Sequence, residues 1–179
     1  MTKVQRDALI PSPGMMIFNT TTGTIQGYHK ATAYGIADQS NVLQNSSFLV
    51  ANYAQSFIPG GTGDLLSVTV MVDGGAGFGT LNIRSGAGTG GPILSTTPIT
   101  IAAATGATQE LQLSAPITLT GGSIYTFEIT SGGYGFKINT LNSYASGTAY
   151  QDGILQPSND MYFITKMNLT YSLTKWNDL

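Results

Sequence analysis

Hydrophobic and polar residues alternate with a period of two over much of this chain, and no stretch of a dozen residues keeps a helical period. The clearest run is Leu66-Ser67-Val68-Thr69-Val70-Met71-Val72, which predicts a strand with Leu66, Val68, Val70 and Val72 on one face. Ile124, Phe127 and Ile129 set against Thr126, Glu128 and Thr130 predict a half-buried antiparallel strand. Further strands are expected over 47–57, 80–84, 93–101, 110–113, 117–119, 136–141 and 161–173. Pro59-Gly60-Gly61, Gly74-Gly75, the run Gly86 to Gly91, Gly121-Gly122 and Gly132-Gly133 interrupt these strands with residues that tolerate the positive φ of tight turns. Many short strands at such spacing predict an all-β fold, a jelly-roll-like antiparallel β-sandwich, and exclude doubly wound and barrel α/β layouts.

The front of the chain reads differently. Thr2 is placed to cap a helical turn through Arg6-Asp7-Ala8-Leu9, which Pro11 and Pro13 end. Met15 to Asn19, a Thr20-Thr21-Thr22-Gly23 turn and Thr24 to Tyr28 then predict a β-hairpin, marginal by itself and in need of support from the main domain or from copies of itself. Residues 32–45 are small and polar without periodicity. The expected organisation is therefore an N-terminal module over 1–31, a linker or arm over 32–45, and a sandwich over 46–179.

Composition narrows what such a fold can do. Apolar residues make up an ordinary 41% of the 179, but charged residues only 9%, so Thr, Ser, Asn, Gln and Gly must cover the surface. Hydroxyls and amides are cheaper to desolvate than ions, which suits an assembled protein and an extracellular sandwich equally. Seven scattered Lys and Arg residues and a net charge of −2 supply no basic patch for nucleic acid. There is no cysteine, hence no disulfide, thiolate nucleophile or Cys-ligated zinc. The start lacks the apolar core of a signal peptide, and no stretch reaches the length of apolar residues that spans a bilayer, so neither secretion by that route nor membrane insertion is expected.

No residue set predicts catalysis. Gly86-Ala87-Gly88-Thr89-Gly90-Gly91 has the spacing of a dinucleotide loop, yet Pro92-Ile93-Leu94 after it reads as a strand and not the required helix. His29 is the only histidine, and no G-x-S-x-G elbow accompanies it. The acids sit mostly in or beside turns, as turn formers do. Asp-containing loops of a sandwich also suit Ca²⁺, the one cofactor the residues leave open, although no D-x-D-x-D series is present. Tyr134, Phe136, Tyr144 and Tyr150 lie among Gly, Ser and Asn. Either alternate members pack inward, or Tyr134, Tyr144 and Tyr150 with Asp152 form a glycan-contacting face.

Gln5-Arg6-Asp7-Ala8-Leu9, Pro13-Gly14-Met15-Met16-Ile17-Phe18-Asn19-Thr20-Thr21-Thr22 and Gln26-Gly27-Tyr28 together resemble a short module of bacteriophage tail-fibre, head-fibre and other structural proteins, found also in surface proteins of Bacteroidetes-type bacteria. The chain departs from that pattern after Tyr28, where the module's tryptophan is missing. The resemblance implies attachment or assembly through Arg6, Asp7, Leu9, Met15, Ile17 and Tyr28. Gln55-Ser56-Phe57-Ile58-Pro59, Leu65-Leu66-Ser67-Val68 and Leu119-Thr120-Gly121-Gly122-Ser123-Ile124-Tyr125-Thr126-Phe127 are similar in layout to jelly-roll modules of the carbohydrate-binding type. Together these likenesses imply a non-enzymatic virion protein, a head-fibre, spike or tail-fibre subunit made in the host cytoplasm. It would contact capsid or tail proteins, form a homo-oligomer with a trimer favoured, and meet host-surface glycan. The alternative is a carbohydrate-binding module of a bacterial surface protein or secreted enzyme.

Overall fold

A computed structural model of the chain describes residues 1–2, 4–5, 8–9, 15–27, 30–48, 52–102, 105–130, 134–172 and 177–178. In chain order the strands are β1 (Met16–Asn19), β2 (Thr24–Gly27), β3 (Lys30–Asn41), β4 (Ser46–Phe48), β5 (Asn52–Phe57), β6 (Gly63–Gly75), β7 (Gly77–Ser85) and β8 (Ile93–Ile101). They continue with β9 (Thr105–Leu119), β10 (Tyr125–Thr130), β11 (Tyr134–Asn139), β12 (Ala149–Gln151), β13 (Ile154–Gln156), β14 (Asp160–Met161), β15 (Phe163–Ser172) and β16 (Asn177–Asp178). The chain divides into two compact units, Tyr34–Leu169, and Met1–Ala33 together with Thr170–Leu179.

The larger unit is the expected all-β sandwich. One sheet runs β13-β12-β5-β10-β7-β8, and the other runs β14-β11-β6-β15-β3 with β4 on β11 and β9 on β6. Successive strands pass between the sheets, β5 to β6 to β7 and β9 to β10 to β11, which gives the jelly-roll-like interleaving. Phe57, Leu81, Ile83, Phe127 and Ile129 from the first sheet meet Leu65, Val68, Val70, Phe136, Ile138, Phe163 and Met167 from the second, all of them buried. Phe127 lies at the centre, its ring 5.5 Å from that of Phe163 and 6.3 Å from that of Phe57.

Three local expectations are corrected. The face predicted for Leu66, Val68, Val70 and Val72 belongs instead to Leu65, Val68, Val70 and Val72, because a bulge between Leu65 and Ser67 resets the alternation, leaving Leu66 half-buried. Ile124 is 44% exposed and precedes β10, whose core face is Tyr125, Phe127 and Ile129. The linker expected over 32–45 is for the most part strand β3, fastened to β15 by polar groups: Gly35 N donates to Asn168 Oδ1 at 2.8 Å and Gln39 N to Thr165 Oγ1 at 2.9 Å.

Gly63 shows how tightly β6 and β15 approach. A Cβ there would run into the Asn168 carbonyl and the Leu169 backbone, neither of which can swing away. Gly63→Ala is expected to destabilise by about 3 kcal/mol through overpacking. Urea unfolding checks this, and a midpoint equal to the parent's would contradict it.

In the smaller unit, Val4 and Gln5 are helical, just ahead of the turn expected over 6–9, of which Arg6 and Asp7 lie outside the described residues. Thr2 N donates to Gln5 Oε1 at 2.9 Å while Gln5 N donates to Thr2 Oγ1 at 3.3 Å, a capping box. The hairpin forms with the register Ile17↔Gln26 and Phe18↔Ile25. Its turn is set by Asn19, whose Oδ1 accepts from Thr21 N at 2.9 Å and whose main-chain carbonyl accepts from Gly23 N at 2.8 Å. The sheet gains a third strand from the other end of the sequence, since β16 pairs with β2 through Asn177↔Gly27 and Asp178↔Gln26. The smaller unit thus differs from the module expected over 1–31, because the last ten residues group with it instead of with the sandwich.

Candidate functional site

Two surfaces carry the residues that the sequence marks out. The first is the small sheet β1-β2-β16. Phe18 and Ile25 are direct cross-strand partners, and Met16 lies two residues from Phe18, so the three share one face. They are 55%, 52% and 65% exposed respectively. The opposite face is mixed: Asn19 and Gln26 are buried, with Asn19 Nδ2 donating to Gln26 Oε1 at 3.0 Å, and Ile17, the cross-strand partner of Gln26, is half-buried beside them. Of the expected attachment residues, Met15, Ile17 and Leu9 are half-buried, while Arg6, Asp7 and Tyr28 lie outside the described residues, as does His29.

The second surface is the outer face of the six-stranded sheet. The register aligns Leu155, Tyr150, Ala54, Glu128, Asn82 and Thr96 in one row from β13 to β8. Glu128 Oε2 accepts from Arg84 Nε at 2.8 Å and from Asn82 Nδ2 at 3.2 Å, and Thr96 Oγ1 donates to Asn82 Oδ1 at 2.8 Å. The glycine-rich segment after β7 folds back over part of this face: Gly88 N donates to Thr126 Oγ1 at 2.9 Å, which donates to Gly86 O at 2.8 Å, and Arg84 Nη1 reaches Gly91 O at 2.8 Å. Thr126 and Glu128, expected on the polar side of a half-buried strand, are buried, Thr126 beneath this segment and Glu128 among Asn82 and Arg84. The segment is a cover for the sheet, ordered by side chains of the strands beneath it, and it leads into strand β8. Tyr150 stands half-buried beside Gly88. The neighbouring row brings Asn52, Thr130 and Thr80 together, with a short hydroxyl contact between Thr80 and Thr130. A neutral hydroxyl and amide surface flanked by a tyrosine and an internally neutralised ion pair results.

The four residues expected to contact glycan are not brought together. Tyr134 and Tyr144 belong to the core, 2% and 8% exposed. The Tyr134 ring packs edge-on against Phe136 at 5.4 Å, and that of Tyr144 against Phe163 at 5.0 Å. The Tyr144 hydroxyl is spent inside the fold, donating to Gln39 Oε1 at 2.9 Å and accepting from Ile58 N at 3.4 Å. Their rings have no face left for a sugar. Tyr150 keeps that possibility in its half-buried position, and Asp152 sits nearby in a two-residue turn between β12 and β13. There Asp152 and Gly153 adopt φ of +49° and +80°, the left-handed pair that Asp-Gly favours, and Asp152 Oδ1 accepts from Asn52 N at 3.1 Å.

Sequence reasoning missed the Arg84, Asn82 and Glu128 cluster, although its signal was present: polar residues at alternate positions of two strands, with opposite charges among them. The acids elsewhere are likewise committed to structure. Asp38 accepts from Gly60 N, Asp64 from Thr118, Asp73 from Lys137, and Glu110 from Ser67 and Lys166. Asp160 is completely buried, accepting from Gln55 Nε2 at 3.1 Å and Tyr144 N at 2.8 Å, and burial raises its pKa above the ordinary carboxyl value. Among the described residues no group of three His, Cys, Asp or Glu side chains converges. The comparisons agree in adding no relative: no family model and no curated protein matches this chain.

Proposed function

We propose that this chain is a non-enzymatic structural subunit of a bacteriophage virion, a head-fibre, spike or tail-fibre component whose small sheet attaches it to the particle and whose sandwich is displayed toward the host surface. The observation that carries this reading is the small sheet itself. The stretch that resembles the fibre module builds a sheet with Met16, Phe18 and Ile25 turned outward, an arrangement suited to joining protein to protein. The ion-poor composition supports it, because a surface of hydroxyls and amides can be packed into an assembly without stranding charges. The experiment is density-gradient fractionation of particles from a lysate in which the gene is expressed. The chain is expected to travel with intact particles and to remain after a salt wash, and its recovery only among free proteins would remove the virion assignment.

One observation favours a second reading, a carbohydrate-binding module. Tyr150 borders a neutral field containing Asn52, Thr80 and Thr130, which offers a ring for stacking and hydroxyls and amides for hydrogen bonding. On this reading a glycan array binds the purified protein, and Tyr150→Ala weakens that binding about tenfold or more, a loss of about 1.4 kcal/mol. A blank array would leave only the virion reading.

A further inference from the structure

We propose that the glycine-rich segment between β7 and β8 is an autoinhibitory strap, which occupies the stacking position of Tyr150 and must lift before an uncharged sugar ring can enter. The inference rests on the carbohydrate-binding reading above and names how that site is regulated. A Cβ on Gly88 would lie 3.0, 3.3 and 3.6 Å from Cε1, Cζ and Cδ1 of Tyr150, consecutive ring atoms at nearly one range, so the glycine covers the face of the ring instead of meeting its edge. The segment comes from β7 over Thr126 on β10, so the covered face is the one turned toward β5, β10 and the row of Asn52, Thr130 and Thr80. A sugar hydrogen-bonded to that row would stack on this same face. The strap reaches as far as the turn after β12, where Thr89 Oγ1 lies 3.2 Å from the place of a Cβ on Gly153.

The fastening is light. The two ends are tied down, Gly86 N donating to Ile124 O at 2.9 Å and Arg84 Nη1 to Gly91 O at 2.8 Å. Over the middle of the strap the bond to the sheet is one neutral hydroxyl, Thr126 Oγ1, which accepts from Gly88 N and donates to Gly86 O. Ala87 and Thr89 are the only side chains between those ends, so no large apolar group anchors the segment. An uncharged ring fits because Asp152 borders the site and Arg84 is already committed to Glu128, which leaves an acidic sugar without a cation there among the described residues. The apparent affinity is then the intrinsic one reduced by the fraction of molecules whose strap is lifted.

The test measures binding of the purified full chain and its variants to neutral oligosaccharides on a glycan array, and hydrogen exchange of residues 86–91 with and without the strongest printed binder. Thr126→Val removes both strap bonds at nearly constant volume. It is expected to speed exchange of the segment and to tighten binding about fivefold, the worth of one neutral hydrogen bond. Thr126→Ser keeps the hydroxyl and is expected to match the parent. Damage to the site would weaken binding, so the sign of the change separates release of the strap from damage. Bound oligosaccharide is expected to speed exchange at Gly88, the opposite of a loop that closes over its ligand. Because Thr126 is fully buried and its replacement risks the fold, a second variant pairs Thr89→Cys with Gly153→Cys in a chain without native thiols. Oxidation of that pair is expected to abolish binding and reduction to restore it. Binding by folded Thr126→Val no tighter than the parent's, protection of 86–91 by bound sugar, or equal binding by the oxidised and reduced pair overturns the strap. Binding lost in Tyr150→Ala but unmoved by Thr126→Val removes the strap alone, whereas an array blank for both the parent and Thr126→Val removes the carbohydrate reading and the strap with it.

Discussion

Phe127→Ala is expected to lower the stability of the sandwich by about 4 kcal/mol, the cost of emptying a fully buried aromatic site. The side chain has no solvent exposure and lies between the Phe57 and Phe163 rings, one from each sheet, so its removal opens a void that both sheets line. Closing that void would require β5 and β10 to move together, and their ladder runs unbroken from Tyr125↔Phe57 to Thr130↔Asn52. Collapse is therefore limited, which puts the cost toward the upper part of the usual range. For a domain of this size the loss corresponds to a fall in Tm of about 15 °C. Phe78→Ala removes the same side chain from the same sheet at a site 81% exposed, and its effect is expected within about 0.5 kcal/mol. Thermal and urea unfolding of both variants test the placement of the core, and equal effects at the two positions would contradict it.

Period-two alternation identified the strands that build this core, and it failed where the local period is interrupted or concealed. Leu66 and Leu65 are indistinguishable by hydrophobicity. The bulge against β15, where consecutive Lys166 and Met167 face Ser67 and Leu65 and Leu66 is the extra residue, selects Leu65 for the interior, and it needs knowledge of the partner strand. Thr126 and Glu128 read as the polar side of their strand because alternation reports one sheet face and is silent about a loop over Thr126, or a polar cluster around Glu128, covering the other. Strand β3 gave no signal because it is secured through polar contacts: Asn41 Nδ2 donates to the Met161 carbonyl at 2.8 Å, and Gln39 and Gly35 bond to side chains of β15. Tyrosine is ambiguous for a related reason. Tyr144 satisfies its hydroxyl internally and so is buried at no polar cost, which sequence alone cannot separate from a ring kept free for ligand. The hairpin was legible as two strands and a turn, but the expected contact residues Met15 and Ile17 are half-buried, and it is Met16, Phe18 and Ile25 on the other face that are exposed, with Asn19 and Gln26 bonded to each other on the Ile17 side.

Mild acidification is expected to stabilise the sandwich, with Asp160 as the principal cause. Its carboxylate is fully buried, and its bonds come from Gln55 Nε2 and from the backbone of Tyr144 and Ser143, all neutral donors. Burial therefore dominates and raises its pKa in the folded state. A carboxyl that binds its proton more tightly when folded adds stability that is complete below the unfolded pKa, about 3.9, and is lost as pH rises through the folded value. Asp38, raised by burial against the donation from Gly60 N, has the same sign. Asp73 and Glu110 have the opposite one. Hydrogen bonds from Lys137 and Ser47, and from Ser67 and Lys166, lower their pKa values, so their contribution holds above the ordinary range and is lost only as pH falls through the lowered values. The two effects occupy different windows. From neutrality down to about pH 4 the urea midpoint is expected to hold or rise, and below that to fall. Asp160→Asn keeps one acceptor oxygen but turns a donor toward groups that already donate, so it is expected to cost about 2 kcal/mol and to flatten the rise. If the parent loses stability steadily from pH 7 to 4.5 and Asp160→Asn follows with the same slope, the buried carboxylate does not control the acid response of this fold.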